Sequence, residues 1–145
     1  TESGSFLGTA AFAAPEQLRA ARGEDFEPEA RSDVYALGAT LDAALRGAPA
    51  FRSRDPLGVL HELQRGFPPL RSARPDLPRE LGTIVAVATE LDPARRYPTA
   101  AAFADDLERF LAFRPIAARP PSVARKLQLR WTRHRRAIAL GTLLV

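Results

Sequence analysis

The sequence contains no cysteine, no methionine, only two histidines and a single lysine among its 21 basic residues. Without cysteine, disulfide bonds, thiolate nucleophiles and cysteine–zinc sites are excluded. His61 and His134 lie far apart without a local carboxylate partner, which argues against a zinc site, and we expect no metal ligands in the chain. Because methionine is missing even at position 1, we expect these 145 residues to be part of a longer protein.

Acidic residues are also missing from the last quarter of the chain. No acid follows Glu108, whereas nine of the 21 basic residues do, so the net charge of +4 arises in this tail. A basic tail is suited to nucleic acid, to anionic lipid or to the flank of a membrane segment. With 26% charged residues, the chain is too polar for a polytopic membrane protein.

Apolar residues recur at helical spacing through most of the chain, and no segment alternates as a half-buried strand would. The sequence therefore predicts a mainly α protein of five or six helices. The residues expected to begin helices are Pro15, Ser32 or Asp33, Asp55 with Pro56, Thr99 and Ser122. Residues 67–79 hold four prolines and are predicted to be irregular.

Two of these helices have a well-defined apolar pattern. The helix that ends at Gly47 is apolar nearly all round, which predicts a position in the middle of a domain. The helix after Thr99 is expected to pack through one apolar face, formed by Phe103, Leu107, Phe110 and Leu111.

Three motifs follow one another in an order that is typical of one family. Residues 8–17, GTAAFAAPEQ, resemble the end of the activation segment of Ser/Thr protein kinases, whose motif set ends in Ala-Pro-Glu. Residues 31–38, RSDVYALG, resemble the start of the central helix of the kinase C-lobe. Residues 91–98, LDPARRYP, resemble a motif near the end of that lobe. The resemblance implies that residues 1–118 are part of a C-lobe of a bacterial (Hanks-type) kinase.

The resemblance also implies roles for individual residues. Gly8, Thr9 and Phe12 would position the substrate, and Phe12 departs from the tyrosine that is usual there. Alternatively, Thr9 is an ordinary turn residue.

Two further expectations concern charged residues. Glu16 would form a structural ion pair with Arg96, although alone it is only a carboxylate at a helix start. Asp33 would support the catalytic loop, or else serve as an ordinary N-cap.

The resemblance places the groups that bind nucleotide before residue 1. The glycine-rich loop, the catalytic loop and the metal-binding Asp are expected upstream, so no catalytic residue is expected in this chain. The whole kinase would use ATP and Mg²⁺, whereas these 145 residues would bind neither. Activating phosphorylation is expected at Thr1, Ser3 or Ser5, which the sequence does not rank.

The chain after residue 118 predicts a membrane segment. Residues 119–136 would form a basic juxtamembrane linker and helix, and residues 137–145, AIALGTLLV, would begin a transmembrane helix. Alternatively, the apolar run is part of a C-terminal core helix. The arginines before this run and Trp131 suit a cytoplasmic flank, so we expect a single-pass cell-membrane protein with its kinase part in the cytoplasm. Anionic lipid is the expected partner of the basic stretch. A nucleic-acid-binding module is the less favoured alternative.

The function expected from these patterns is phosphoryl transfer from ATP to Ser or Thr of protein substrates, by a kinase that forms homodimers. A pseudokinase that acts as a binding scaffold is the main alternative, because the residues that separate the two lie outside this sequence.

Overall fold

A computed structural model of the chain describes residues 10–27 and 29–120. Within these residues it contains six α-helices, two short 3₁₀ turns and no β-strand, which confirms the mainly α prediction. The helices are α1 (Pro15–Ala20), α2 (Ala30–Arg46), α3 (Pro56–Leu63), α4 (Leu70–Ala73), α5 (Arg79–Ala88) and α6 (Ala100–Leu111), with 3₁₀ turns at Ala10–Phe12 and Pro93–Arg95.

Local capping explains where two of these helices begin. The carboxylate of Asp55 accepts hydrogen bonds from the backbone N–H groups of Leu57 and Gly58, both at 3.1 Å, and so caps α3. The hydroxyl of Thr99 accepts from the N–H of Ala102 at 3.1 Å and caps α6. Both caps were predicted from the sequence and are confirmed.

Helix α2 begins earlier than predicted. Its N-cap is Glu29, whose backbone is extended and whose side chain makes no capping bond. Ser32 is buried, and its hydroxyl donates to a distant carboxylate rather than to the backbone of its own helix. The prediction that Ser32 or Asp33 caps the helix is therefore wrong. The predicted end is confirmed, since Gly47 adopts the left-handed conformation (φ 86°).

Helix α2 is the central element and contacts α4, α5, α6 and both 3₁₀ turns. Its closest approach is to α5, at Gly38. A Cβ atom built on Gly38 would lie 2.6 Å from the Cβ of Ala88, closer than two carbon atoms can pack. The absence of a side chain at position 38 therefore sets the distance between the two helices.

The core consists of three apolar clusters around α2. The first lies between α2, α5 and α6, the second joins α1 to α3, and the third surrounds Tyr35. The buried members of the first two are Val34, Ile84, Ala88, Tyr97, Phe103 and Ala118, and Ala10, Leu18, Phe51, Val59 and Leu63.

Two local predictions are wrong. The proline-rich stretch is not wholly irregular, because α4 fits between Pro69 and Pro75, where no proline interrupts it. Leu111 does not belong to the core face of α6: it is 73% exposed, because the helix ends at this residue and the chain turns away.

No helix within residues 10–27 and 29–120 has the length and apolar character needed to cross a membrane. The predicted basic helix after Ser122 and the apolar run 137–145 lie outside the described residues.

Candidate functional site

The structure describes only some of the residues to which the sequence assigned roles. Those within it are Phe12, Glu16, Asp33 and Arg96. Those outside it are Thr1, Ser3, Ser5, Gly8 and Thr9.

The side chain of Arg96 is fully buried, and each of its N–H groups has an acceptor. A guanidinium group has five N–H donors. Two form a bidentate pair with Glu16, in which Nη1 lies 2.6 Å from Oε1 and Nη2 lies 2.9 Å from Oε2. The others donate to the backbone carbonyls of Glu90, Arg31 and Leu91, at 2.7, 3.0 and 3.3 Å. The ion pair expected from the resemblance is therefore present, 80 residues apart in sequence.

Glu16 receives a third hydrogen bond, from the hydroxyl of Ser32 to Oε1 at 2.7 Å. Burial opposes ionisation of this carboxyl, but the bonds from Arg96 and Ser32 outweigh burial and hold the pKa of Glu16 below its ordinary value of 4.5. The carboxylate therefore stays charged and ties the start of α1 to the start of α2.

Tyr35 completes this group. The guanidinium carbon of Arg96 lies 5.0 Å from the centre of the Tyr35 ring, within the range of a cation–π contact. Burial raises the pKa of the Tyr35 hydroxyl, which has no hydrogen-bond partner within the described residues. We call Arg96, Glu16, Ser32 and Tyr35 the Arg96 cluster.

The Arg96 cluster positions the segment to which substrate contact was assigned. The 3₁₀ turn Ala10–Phe12 lies four residues before Glu16, and Ala10 is buried against the core. Phe12 is half-buried and packs against the apolar cluster of Tyr35, Ala14 and Ala39. Fixing Glu16 therefore also fixes the chain that leads from Phe12 into α1.

Asp33 lies apart from this cluster. It is exposed in the first turn of α2 and makes no hydrogen bond or ion pair to any of the residues that the structure describes. The ordinary N-cap alternative is wrong, because Glu29 occupies that position. Asp33 shares one exposed face of α2 with Leu37 and Thr40. Its role in supporting a catalytic loop remains a prediction.

A second polar cluster was not found from the sequence. Asp106 is buried and accepts hydrogen bonds from the Tyr97 hydroxyl at 2.8 Å and from the backbone N–H groups of Ala117 and Ala118 at 2.7 and 2.8 Å. Burial opposes its ionisation, but these bonds and the nearby Arg109 hold the pKa of Asp106 below its ordinary value. We call Asp106, Tyr97, Ala117 and Ala118 the Asp106 cluster. A sequence signal was present, since Asp106 falls three residues after Phe103 on the apolar face.

One more buried carboxylate has a purely structural partner. Asp42 is fully buried in α2 and pairs with Arg46 through two bonds of 2.8 and 2.9 Å. Arg46 also donates to the carbonyl of Pro68, at 3.0 Å, and so connects α2 to the segment before α4.

None of these carboxylates forms a metal site. Within the part of the chain that the structure describes, no three His, Asp or Glu side chains converge as metal ligands would. The described residues therefore do not provide a set of ligands that fits Mg²⁺.

In sequence, the chain is similar to known bacterial protein kinases. The chain is 44% identical over 113 residues to the tyrosine-protein kinase MasK of Myxococcus xanthus, an alignment that covers 77% of this chain. It is 39% identical over 110 residues to the serine/threonine-protein kinase PknB and 37% identical over 109 residues to PknL, both of Mycobacterium tuberculosis. No profile of a known protein family matches the chain.

These relatives define the class as bacterial protein kinases, and this chain belongs to that family, as the three sequence motifs predicted. The chain spans 17% of the length of MasK and of PknB and 26% of the length of PknL. It therefore corresponds to one segment of such a kinase.

Proposed function

We propose that the chain is the substrate-side part of the C-lobe of a bacterial Ser/Thr protein kinase. In this proposal the whole protein transfers the γ-phosphoryl group of ATP to Ser or Thr hydroxyls of protein substrates. Residues 8–12 border the substrate, and the described helices hold that segment in place. The observation that carries the proposal is the saturated Arg96–Glu16 pair, which fixes the chain next to Phe12 in a segment homologous to kinases.

The residues of this segment act by positioning. The Arg96 cluster holds the start of α1, which follows Gly8 and Thr9 in the sequence. Thr9 would place the accepting hydroxyl, and Asp33 would hold the catalytic loop from the exposed face of α2. ATP and Mg²⁺ would be bound by other parts of the kinase, and the 145-residue chain alone is expected to be inactive.

A phosphotransfer assay on the product of the natural gene tests this proposal. We expect phosphate on Ser or Thr of a protein substrate, and Thr9→Ala should lower kcat much more than it changes the KM for ATP. Mass spectrometry of the substrate decides between hydroxyl types, which matters because MasK is named a tyrosine kinase. Phosphate on tyrosine would contradict the specificity. ATP binding without any transfer would indicate a scaffold instead.

A matched pair of variants tests the positioning role. Glu16→Gln should lower kcat, because a neutral side chain pairs weakly with Arg96, whereas Glu24→Gln alters an exposed glutamate of the nearby loop and should change nothing. If the two variants have equal activities, the Arg96 cluster does not contribute to catalysis. Separately, if ATP raises the Tm of the purified 145-residue chain, the expectation that it binds no nucleotide is wrong.

We also propose that residues 119–145 attach the kinase to the inner face of the cell membrane. The support is in the sequence: arginines 130, 133, 135 and 136 directly precede the apolar run 137–145. Anionic lipid would hold the basic stretch with about 1 kcal/mol per cation near the surface. Reporters fused on either side of the completed segment in the natural gene test the orientation. Recovery of the whole protein in the soluble fraction would contradict it. Homodimer formation remains a prediction.

A further inference from the structure

The C-terminal end of α6 exposes two large apolar side chains, Leu111 and Phe113. The helix ends in a Schellman motif, in which the N–H of Phe113 donates to the carbonyl of Phe110 at 3.1 Å and the N–H of Arg114 to that of Arg109 at 2.8 Å. The motif requires the left-handed conformation at position 113, where φ is 55°. Phe113 is the one described residue other than glycine with a positive φ.

Phenylalanine is an unfavourable choice for this position. Glycine is preferred there because a side chain in the left-handed region costs about 1–2 kcal/mol. Gly47, at the equivalent position after α2, follows that rule. Burial of the ring would offset the strain, but Phe113 is 99% exposed. Neither the backbone nor the core of the described structure accounts for the ring.

The residues next to Phe113 also include an exposed apolar side chain. Leu111 is 73% exposed, so two of the four exposed large hydrophobic residues in the described part lie within three positions. In a Schellman motif an apolar contact frequently joins the positions that are here Arg109 and Arg114. The motif therefore brings two cations together where the fold would prefer an apolar pair. We call Arg109, Leu111, Phe113 and Arg114 the helix-end patch.

We propose that the helix-end patch docks the folded lobe on an anionic phospholipid surface, with Phe113 and Leu111 inserted among the lipids and the arginines on lipid phosphates. This inference rests on the proposed membrane attachment of residues 119–145. Charge complementarity selects this partner, because every charged residue after Glu108 is basic and six of them follow residue 120. Glu108 is the acid nearest to the patch in sequence, one turn before Ala112, the C-cap of α6. Arg109 also pairs with the buried Asp106, its Nη1 lying 3.5 Å from Oδ1.

The chain thus gains two contacts with the same surface. The tail alone would tether the lobe without orienting it, whereas an apolar residue inserted at the end of α6 would fix which side of the lobe faces the membrane. A second, linked contact adds to affinity because it forms at high effective concentration.

Vesicle binding by the 145-residue chain tests the proposal with a variant that does not endanger the fold. Phe113→Gly relieves the backbone strain, so its Tm should equal or exceed that of the wild type. Its affinity for vesicles of phosphatidylcholine mixed with phosphatidylserine should nevertheless fall about tenfold, since the ring no longer leaves water. Leu57→Ala, at an exposed leucine of α3, is the matched control and should bind as the wild type does. Arg114→Gln should also weaken binding, unlike Arg65→Gln at an exposed arginine beyond α3.

The absence of cysteine allows a direct measurement of insertion. Phe113→Cys and Leu57→Cys each create a unique thiol for an environment-sensitive fluorophore. The label at position 113 should shift its emission to the blue when anionic vesicles are added, and the label at position 57 should not.

Each other outcome overturns a defined part of the proposal. If Phe113→Gly and the wild type bind vesicles with equal affinity, the helix-end patch does not contribute to binding, which is then due to the tail. An effect of Phe113→Gly on oligomeric state but not on vesicle binding would assign the patch to a second copy of the chain. If the wild type ignores anionic vesicles, both membrane proposals fail, whereas the kinase proposal stands on its own assay.

Discussion

The Arg96 cluster contains a half-buried carboxylate, Glu16, and the Asp106 cluster a fully buried one, Asp106, and the two clusters connect the chain in different ways. Glu16 bonds to side chains, namely the guanidinium of Arg96 and the hydroxyl of Ser32. Asp106 accepts two of its four hydrogen bonds from the backbone N–H groups of Ala117 and Ala118, and the other two from Tyr97 and Arg109. The first cluster can therefore be removed by exchanging its partners. The two backbone bonds of the second do not depend on the side chains of residues 117 and 118, provided that neither is proline.

The difference matters for what each cluster holds. The Arg96 cluster joins segments 80 residues apart and fixes the start of α1 beside the region assigned to substrate. The Asp106 cluster joins α6 to the chain that follows it within 12 residues, and fixes the point from which the basic tail departs. The Arg96 cluster therefore connects helices inside the lobe, and the Asp106 cluster fixes the chain where it leaves the lobe.

We expect the largest effect from substitutions that break the Arg96 cluster. Arg96→Ala or Glu16→Ala should each lower the free energy of unfolding, by about 3–5 kcal/mol, because the first leaves the half-buried Glu16 and the second the fully buried Arg96 without its partner. The double variant should lose less than the sum of the two single losses. Urea denaturation of the four proteins measures the coupling. Strictly additive losses would mean that the two side chains do not interact.

A smaller effect is expected at the Asp106 cluster. Asp106→Asn keeps the shape but removes the charge that accepts four hydrogen bonds, and should cost about 1.5–3 kcal/mol. Hydrogen exchange at Ala117 and Ala118 should accelerate more than exchange in α1, since these amides lose their acceptor. Asp105→Asn, at the exposed neighbouring residue, is the control and should alter neither quantity. Uniform acceleration across the chain would show that the cluster does not act locally.

Acid should weaken both clusters together. The pKa values of Glu16 and Asp106 lie below their ordinary values of 4.5 and 3.8 in the folded state, so the unfolded chain binds protons first as the pH falls. Their stabilising contribution is complete above the ordinary pKa values and is lost as the pH drops through the lower, folded ones. The slope of unfolding free energy against pH in this range should be shallower in Glu16→Gln and in Asp106→Asn. An unchanged slope in both would show that neither carboxyl drives acid unfolding.

The smallest effect comes from the two tyrosines, one in each cluster. The Tyr35 hydroxyl is buried without a hydrogen-bond partner in the described residues, so Tyr35→Phe should change stability by less than about 0.5 kcal/mol or increase it. The Tyr97 hydroxyl donates to Asp106, and Tyr97→Phe should cost about 1–2 kcal/mol. Thermal unfolding of the two variants and the wild type measures both changes in stability. A greater loss at position 35 would reveal a partner for that hydroxyl.

Sequence patterns predicted the local features of this fold well. The caps at Asp55 and Thr99 and the end of α2 at Gly47 depend on residues close in sequence, so they can be read directly. The Glu16–Arg96 pair was expected only through the resemblance to kinases, because nothing local connects residues so far apart. The sequence pattern predicts a cap at Ser32 and misses its bond to Glu16, because Glu16 lies 16 residues away.

The Asp106 cluster shows where such patterns stop being informative. Its acceptor is a side chain, but two of its donors are backbone N–H groups of alanines. Because nearly every residue has a backbone N–H group, the sequence does not indicate which ones donate to Asp106. Leu111 was assigned to the core for a related reason: helical spacing places it on the apolar face, but spacing does not tell where the helix ends.

The separation between Glu16 and Arg96 also has a consequence for how the lobe is made. At about 5–20 residues per second, roughly 4–16 s pass on the ribosome between the synthesis of Glu16 and that of a residue 80 positions later. During that time Glu16 has only Ser32 as a partner from its cluster. Asp106, by contrast, gains its backbone donors within 12 residues, or about 1–2 s at those rates. Helix α1 is thus among the first elements to be synthesised, whereas its ion pair with Arg96 is among the last contacts that can form.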